Sequence, residues 1–157
     1  MLRRSILTLA TTCGALLVGA TPAYAADGSW TLTHSPSTGT CGTVIVSSYV
    51  NNTSGPVSYS RTTTTTSKVA ISASISGGVG AIEAEIGYAN EQSVSIAEQI
   101  SMTIPAHTTL NLRVRYSNTT WYLKYSGMLG TSTGTGTSKV PAGLCISTVS
   151  DVPPPPP

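Results

Sequence analysis

The chain has 157 residues, 39% of them hydrophobic, 9% charged and 6% aromatic, with no phenylalanine. That length is one domain's worth, and so little charge excludes both a basic nucleic-acid binder and an acidic disordered tail. Forty-seven residues are Ser or Thr, which together with Val and Ile is the composition of solvated, alternating strands rather than of a coiled coil.

In chain order, the first element is an address. Arg3 and Arg4 precede an apolar stretch from Ser5 to Gly19, and Ala23-Tyr24-Ala25 supplies a small-x-small cleavage site, so residues 1–25 read as a secretion signal peptide and the mature chain is expected to begin at Ala26. A membrane anchor is the competing reading, but a spanning helix needs about 20 apolar residues, and Thr11, Thr12, Gly14 and Gly19 interrupt this stretch. The expected destination is extracellular. Losing Arg3 and Arg4 leaves six basic and six acidic residues, so the formal +2 of the whole chain becomes zero. Cys13 leaves as well. Cys41 and Cys145 then form the one disulfide an exported chain with two thiols can make internally, unless they stay free or bridge two molecules. The closed loop of about 105 residues would contribute ~4–5 kcal/mol on a chain-entropy argument.

Residues 26–152 read as a single all-β domain of antiparallel strands. β-favouring stretches recur at Ser29–His34, Thr43–Asn51, Val57–Thr66, Val69–Ser76, Ala81–Ala89, Ser93–Ile104, Thr109–Tyr116, Trp121–Tyr125 and Leu144–Val149. Turn signals such as Asn51-Asn52, Ser54-Gly55-Pro56 and Pro105 separate them, and connections this short favour antiparallel pairing. No helical repeat stands out. Thr131 to Ser138 reads as a flexible surface loop, and residues 153–157 as a proline-rich polyproline II tail.

Residues 67–104 carry the most information. Val69, Ile71, Ala73 and Ile75 alternate with Ala70, Ser72, Ser74 and Ser76; after Gly77-Gly78-Val79-Gly80, Ile82, Ala84, Ile86 and Tyr88 alternate with Glu83, Glu85 and Gly87. Period two is a strand signature. Ser67–Ser76 and Ala81–Asn90 make two ten-residue arms, within the ~9–11 residues that a tilted strand needs to cross a bilayer. Paired as a hairpin over 67–90, they would turn Val69, Ile71, Ile75, Ile82, Ile86 and Tyr88 toward lipid. Ser72, Ser74, Glu83 and Glu85 would face a water-filled lumen. Edge groups of a lone hairpin would be unsatisfied in lipid, so several copies would have to close a barrel. An ordinary half-buried sandwich would also show this alternation.

These residues resemble the pore-forming module of aerolysin-like toxins, of the ε-toxin/Mtx2 type. The resemblance lies in Thr62–Thr66, the alternating strands around a glycine-rich turn, Ser93–Thr103, and Ile104-Pro105-Ala106-His107-Thr108-Thr109. It spans about Val44 to Gly127, roughly half the chain. It implies an elongated antiparallel β-sheet or sandwich that binds a cell surface, forms a homo-oligomer and inserts residues 67–90, tip at Gly77–Gly80. A separate receptor-binding domain, present in longer relatives, has no counterpart in the sequence.

Enzymatic constellations are missing. His34 and His107 are the only histidines, no metal-ligand or nucleophile spacing occurs, and no catalytic residue, metal or cofactor is expected. Tyr116, Trp121, Tyr122 and Tyr125 cluster in sequence beside Arg113, Arg115 and Lys124. They form a candidate surface-recognition patch, with bulk for a Phe-free core as the competing role. The functional expectation is a secreted β-pore-forming protein whose partner is a target membrane or cell-surface receptor. The alternative is a non-enzymatic secreted β-sandwich adaptor, a binding subunit of an extracellular multi-protein assembly, that pairs with a secreted partner by strand addition.

Overall fold

A computed structural model describes residues 28–150. The leader at 1–25 and the proline tail at 153–157 lie outside the described residues. Seven strands and one helix follow in order: β1 (Gly28–His34), β2 (Thr38–Asn51), β3 (Val57–Lys68), β4 (Ala70–Ala73), α1 (Gly78–Ile86), β5 (Ser93–Ile104), β6 (Thr108–Gly127) and β7 (Gly130–Ser150). Every pairing is antiparallel. The fold is all-β.

Strand β6 is the spine. β7 lies along its whole length on one side, and β1 and β2 follow one another along its other side, β2 opposite 108–118 and β1 opposite 121–127. β4 adds a short outer strand to β7. β3 and β5 form a separate two-stranded ribbon. Two cores result. Leu110, Leu112 and Val114 of β6 join Leu144 of β7 beneath the ribbon residues Tyr59, Ile96, Ile100 and Ile104. Further along, Trp121 and Leu123 pack with Val69, Ile71 and Ile82. The first cluster uses even positions of β6 and the second odd ones, so the ribbon and α1 cover opposite faces of the sheet.

The structure corrects the sequence reading in three places. The arm expected as a strand over Ala81–Asn90 is mostly α1, and its partner arm over Ser67–Ser76 keeps only four strand residues, β4. Val79, Ile82 and Ile86 at helical spacing pack into the second core, and Gly87 ends the helix in the left-handed region, its N–H donating to Glu83 O at 2.9 Å. Next, Thr131–Ser138 is part of β7, not a loop. Gly136 is needed there: a Cβ on it would meet Ile82 Cδ1 at 2.6 Å and Ser72 O at 2.7 Å. Glycine in a strand often marks such a close approach. Finally, Thr109–Tyr116 and Trp121–Tyr125 belong to one twenty-residue strand.

Candidate functional site: a stowed segment across an open ribbon

Cys41 and Cys145 are joined as expected, Cα atoms 5.8 Å apart across 104 positions of sequence. The bridge ties β2 to β7 across β6, since Cys41 pairs with Arg115 and Cys145 with Arg113. It is a chemistry of oxidising compartments.

The ribbon is regular for its full length. Val57 pairs with Ile104 and each later rung follows without a break to Lys68 opposite Ser93. Two further backbone bonds lie past the last rung, Val69 N–H to Gln92 O at 2.9 Å and Glu91 N–H to Val69 O at 3.0 Å, so Val69 faces both Gln92 and Glu91 and the chain bulges at Glu91, φ 61°. Residues 69–92 then leave the ribbon, giving β4 and α1, and return at Ser93. Among the described residues the outer edge of neither ribbon strand is paired.

The expected lipid-facing residues are therefore indoors. Val69 and Ile82 are fully buried and Ile71 nearly so, while Ile75, Ile86 and Tyr88 are half-buried against the same core. No hairpin over 67–90 exists in this state. The polar set is on the outside. Ser72 Oγ and Thr137 Oγ1 are 2.8 Å apart, Ser74 Oγ accepts the Thr135 N–H at 2.9 Å, and Glu83 Oε1 accepts the Asn90 N–H at 2.6 Å. Glu85 is exposed. Lys68 and Glu91 make an exposed ion pair at 3.2 Å over the ribbon's end. What holds the segment down is mainly apolar burial, backed by the four β4–β7 rungs and by Asn90 Oδ1 accepting the Ile71 N–H at 2.8 Å.

The four aromatics do not form one surface patch. Trp121 is a core residue, 4% exposed. Its indole N–H donates to Ser138 Oγ at 2.8 Å and its ring meets His34 at 4.9 Å between centroids. Tyr125, half-buried, packs on Trp30 at 5.1 Å. Tyr116 sits against the first core, its hydroxyl 2.8 Å from Ser67 Oγ and its ring under Lys139 Nζ. Only Tyr122 is mainly exposed. Strand alternation separates Tyr122 from Trp121 and Tyr125.

Three residues escaped the sequence reading. Asn51, noted only as a strand end and part of a turn signal, is 1% exposed, and its amide donates to Gly55 O, Ile104 O and Pro105 O at 2.8–3.1 Å. Its position just before a Ser/Gly/Pro turn was the available clue. Met128 and Leu129, the β6–β7 turn, are wholly exposed. Among the described residues no group of three or more His, Cys, Asp or Glu side chains converges, and no helix is long and apolar enough to cross a membrane. No protein-family model and no curated protein matches the chain.

Proposed function

We propose that the chain is a secreted, aerolysin-like pore-forming protein that oligomerises on a target membrane and inserts residues 69–92 as a β-hairpin. One observation carries this reading, the register of the ribbon. With the bulge at Glu91 straightened, continuing the pairing that ends at Lys68 opposite Ser93 would set Val69 against Gln92, Ile71 against Asn90, Ala73 against Tyr88, Ile75 against Ile86 and Val79 against Ile82. Its turn would fall at Gly80-Ala81. Each arm would have twelve residues, about 40 Å of strand, enough to span a bilayer. The alternate rungs pair Ala70 with Glu91, Ser72 with Ala89, Ser76 with Glu85 and Gly78 with Glu83. Beyond Gln92 and Asn90 at the ribbon end, one face of the extended hairpin is therefore apolar apart from the Tyr88 hydroxyl, and the other carries three carboxylates and several hydroxyls. A segment that folds as strand plus helix when stowed thus also satisfies the pattern of a membrane strand pair, in continuous register with the ribbon that flanks it. The ribbon's unpaired edges supply the positions where neighbouring copies would pair.

The same open edges support a second reading, an adaptor that accepts a strand from another secreted protein. One experiment separates the two. Purified mature protein is added to dye-loaded liposomes, alongside a Ser72→Cys/Thr137→Cys variant whose new disulfide would staple β4 to β7. These positions are direct partners. Pore formation predicts dye release by the native chain, none by the stapled variant, and recovery on mild reduction, with the equally treated native protein as control. Absence of release together with a stable hetero-complex would favour the adaptor.

A further inference from the structure

We infer that the β6–β7 turn is a membrane-docking tip, and that its partner is the interfacial region of a lipid bilayer. Gly127 pairs with Gly130, so the connection is a two-residue turn, Met128-Leu129. Met128 is 86% exposed and Leu129 106%. Turn chemistry does not ask for them: tight hairpin turns are normally built from Asn, Asp and Gly, and here the left-handed conformation falls on Gly130, φ 122°. Neither side chain belongs to either core. Two large apolar groups therefore stand at the outermost point of the longest hairpin, where folding gains nothing from them.

What lies directly behind the tip fits lipid rather than a second protein. Trp30 and Tyr125 are register partners with rings 5.1 Å apart, and the Tyr125 ring lies across the Gly28–Gly127 end of the sheet. An apolar point with a Trp/Tyr collar is the arrangement that matches a hydrocarbon boundary below and headgroups above. Charge does not oppose this: along the tip-proximal part of these strands, 28–34, 120–127 and 130–137, Lys124 is the only Lys, Arg, Asp or Glu, so no carboxylate there repels an anionic headgroup.

The tip also fixes an orientation. β5 reverses into β6 at Pro105-Ala106-His107, and Ser67 Oγ contacts Tyr116 Oη. The open end of the ribbon therefore lies level with the middle of β6 and points toward the tip. Eleven residues of β6 separate that level from the turn, about 36 Å. Docking at the tip would aim the ribbon at the bilayer. Released arms of about 40 Å would reach the lipid surface but not cross it, so crossing would require the ribbon itself to descend. Lipid contact at the tip does not depend on whether residues 69–92 ever unfold.

The test is flotation of the full mature protein with phosphatidylcholine vesicles, with and without a minor share of phosphatidylserine. The native chain should co-float without any leakage being required. A Met128→Asp/Leu129→Asp variant should lose at least about tenfold in vesicle partition, at an unchanged melting temperature. Met128→Trp/Leu129→Trp should float at least as well as the native chain, which keeps the inference testable should the aspartates disturb folding. Equal flotation of native and Asp variants, no flotation of the native chain, or a concentration-dependent dimer that the Asp variant loses would each overturn it. Flotation without dye release would leave docking standing and count against the pore.

Discussion

Glu98 Oε2 accepts the backbone N–H of Leu144 at 2.8 Å. The bond joins the middle of the ribbon to the one irregular point of β7. There Arg115 pairs with Gly143 and Tyr116 with Pro141, so Ala142 is left without a partner and the strand bulges. The Ala142 carbonyl is taken by Arg115 Nη2 at 3.2 Å, and Gly143 adopts φ 142°, where a Cβ would meet Arg115 Nη2 at 3.0 Å and Glu98 Oε2 at 3.2 Å. The single charge on the apolar side of the strand at 93–104 thus satisfies an otherwise orphaned donor.

Glu98→Ala would strand that N–H beside the buried Leu144 side chain and is expected to lower unfolding free energy by about 1–3 kcal/mol in urea titration. Glu98→Gln keeps an acceptor oxygen and should cost clearly less. Equal losses in both variants would mean that the charge, not the hydrogen bond, holds the ribbon to β7.

Asn51→Ala should cost a comparable ~2–3 kcal/mol, because one side chain serves three carbonyls and, through Oδ1, also accepts the Thr53 N–H at 3.0 Å. Asn51→Asp removes both N–H donors and sets a carboxylate against those carbonyls, and should be worse than Ala at neutral pH. A melting temperature higher for Asp than for Ala would show that water reaches the site.

Much of this architecture could be read from the chain. Ser93–Ile104 is a strand with the expected ends, since Ile96, Ile100 and Ile104 alternate inward at an unbroken period of two. The disulfide followed from the cysteine count. The helix was not legible, because Ile82, Ala84, Ile86 and Tyr88 satisfy period two as well as Val79, Ile82 and Ile86 satisfy a helical stripe. Gly77 and Gly87, both left-handed at φ 75° and 74°, were the capping signals that would have tipped the balance. Local pattern could not choose between two conformations that the segment fits equally well; packing on Trp121 and Leu123 made the choice. Trp121 failed as a recognition residue for a related reason, since period two does not say which face a second layer will cover.

Replacing Trp121 by Ala should therefore destabilise the fold by ~3–5 kcal/mol and orphan the Ser138 hydroxyl, whereas Tyr122→Ala, on the open face, should leave the denaturation midpoint unchanged. The two neighbours form an internal control readable in one thermal-melt series.

Gly136→Ala probes the stowed segment alone. The added methyl would press on Ile82 and on the Ser72 carbonyl, an overpacking that costs typically ~1–3 kcal/mol, felt where α1 and β4 meet β7. Limited proteolysis should show faster cleavage within 69–92 while the disulfide-tied remainder stays resistant. If cleavage is unchanged, α1 accommodates the methyl by shifting.

Ala84 and Glu85 offer the cleanest separation of folding from membrane insertion. Both are exposed on α1, so a lysine at either position leaves the resting fold intact, unlike a charge at buried Ile71 or Ile82. In the extended register Ala84 lies opposite Gly77 on the apolar face and Glu85 opposite Ser76 on the polar one. Ala84→Lys should then abolish dye release at unchanged melting temperature and unchanged vesicle binding, since a lipid-facing lysine costs up to ~2–4 kcal/mol in every subunit. Glu85→Lys should preserve release and shift the ion selectivity of single channels toward anions, because it reverses a charge lining the lumen. Release that survives Ala84→Lys but fails with Glu85→Lys would mean that the arms pair in another register, and the continuity with the ribbon would no longer argue for a pore.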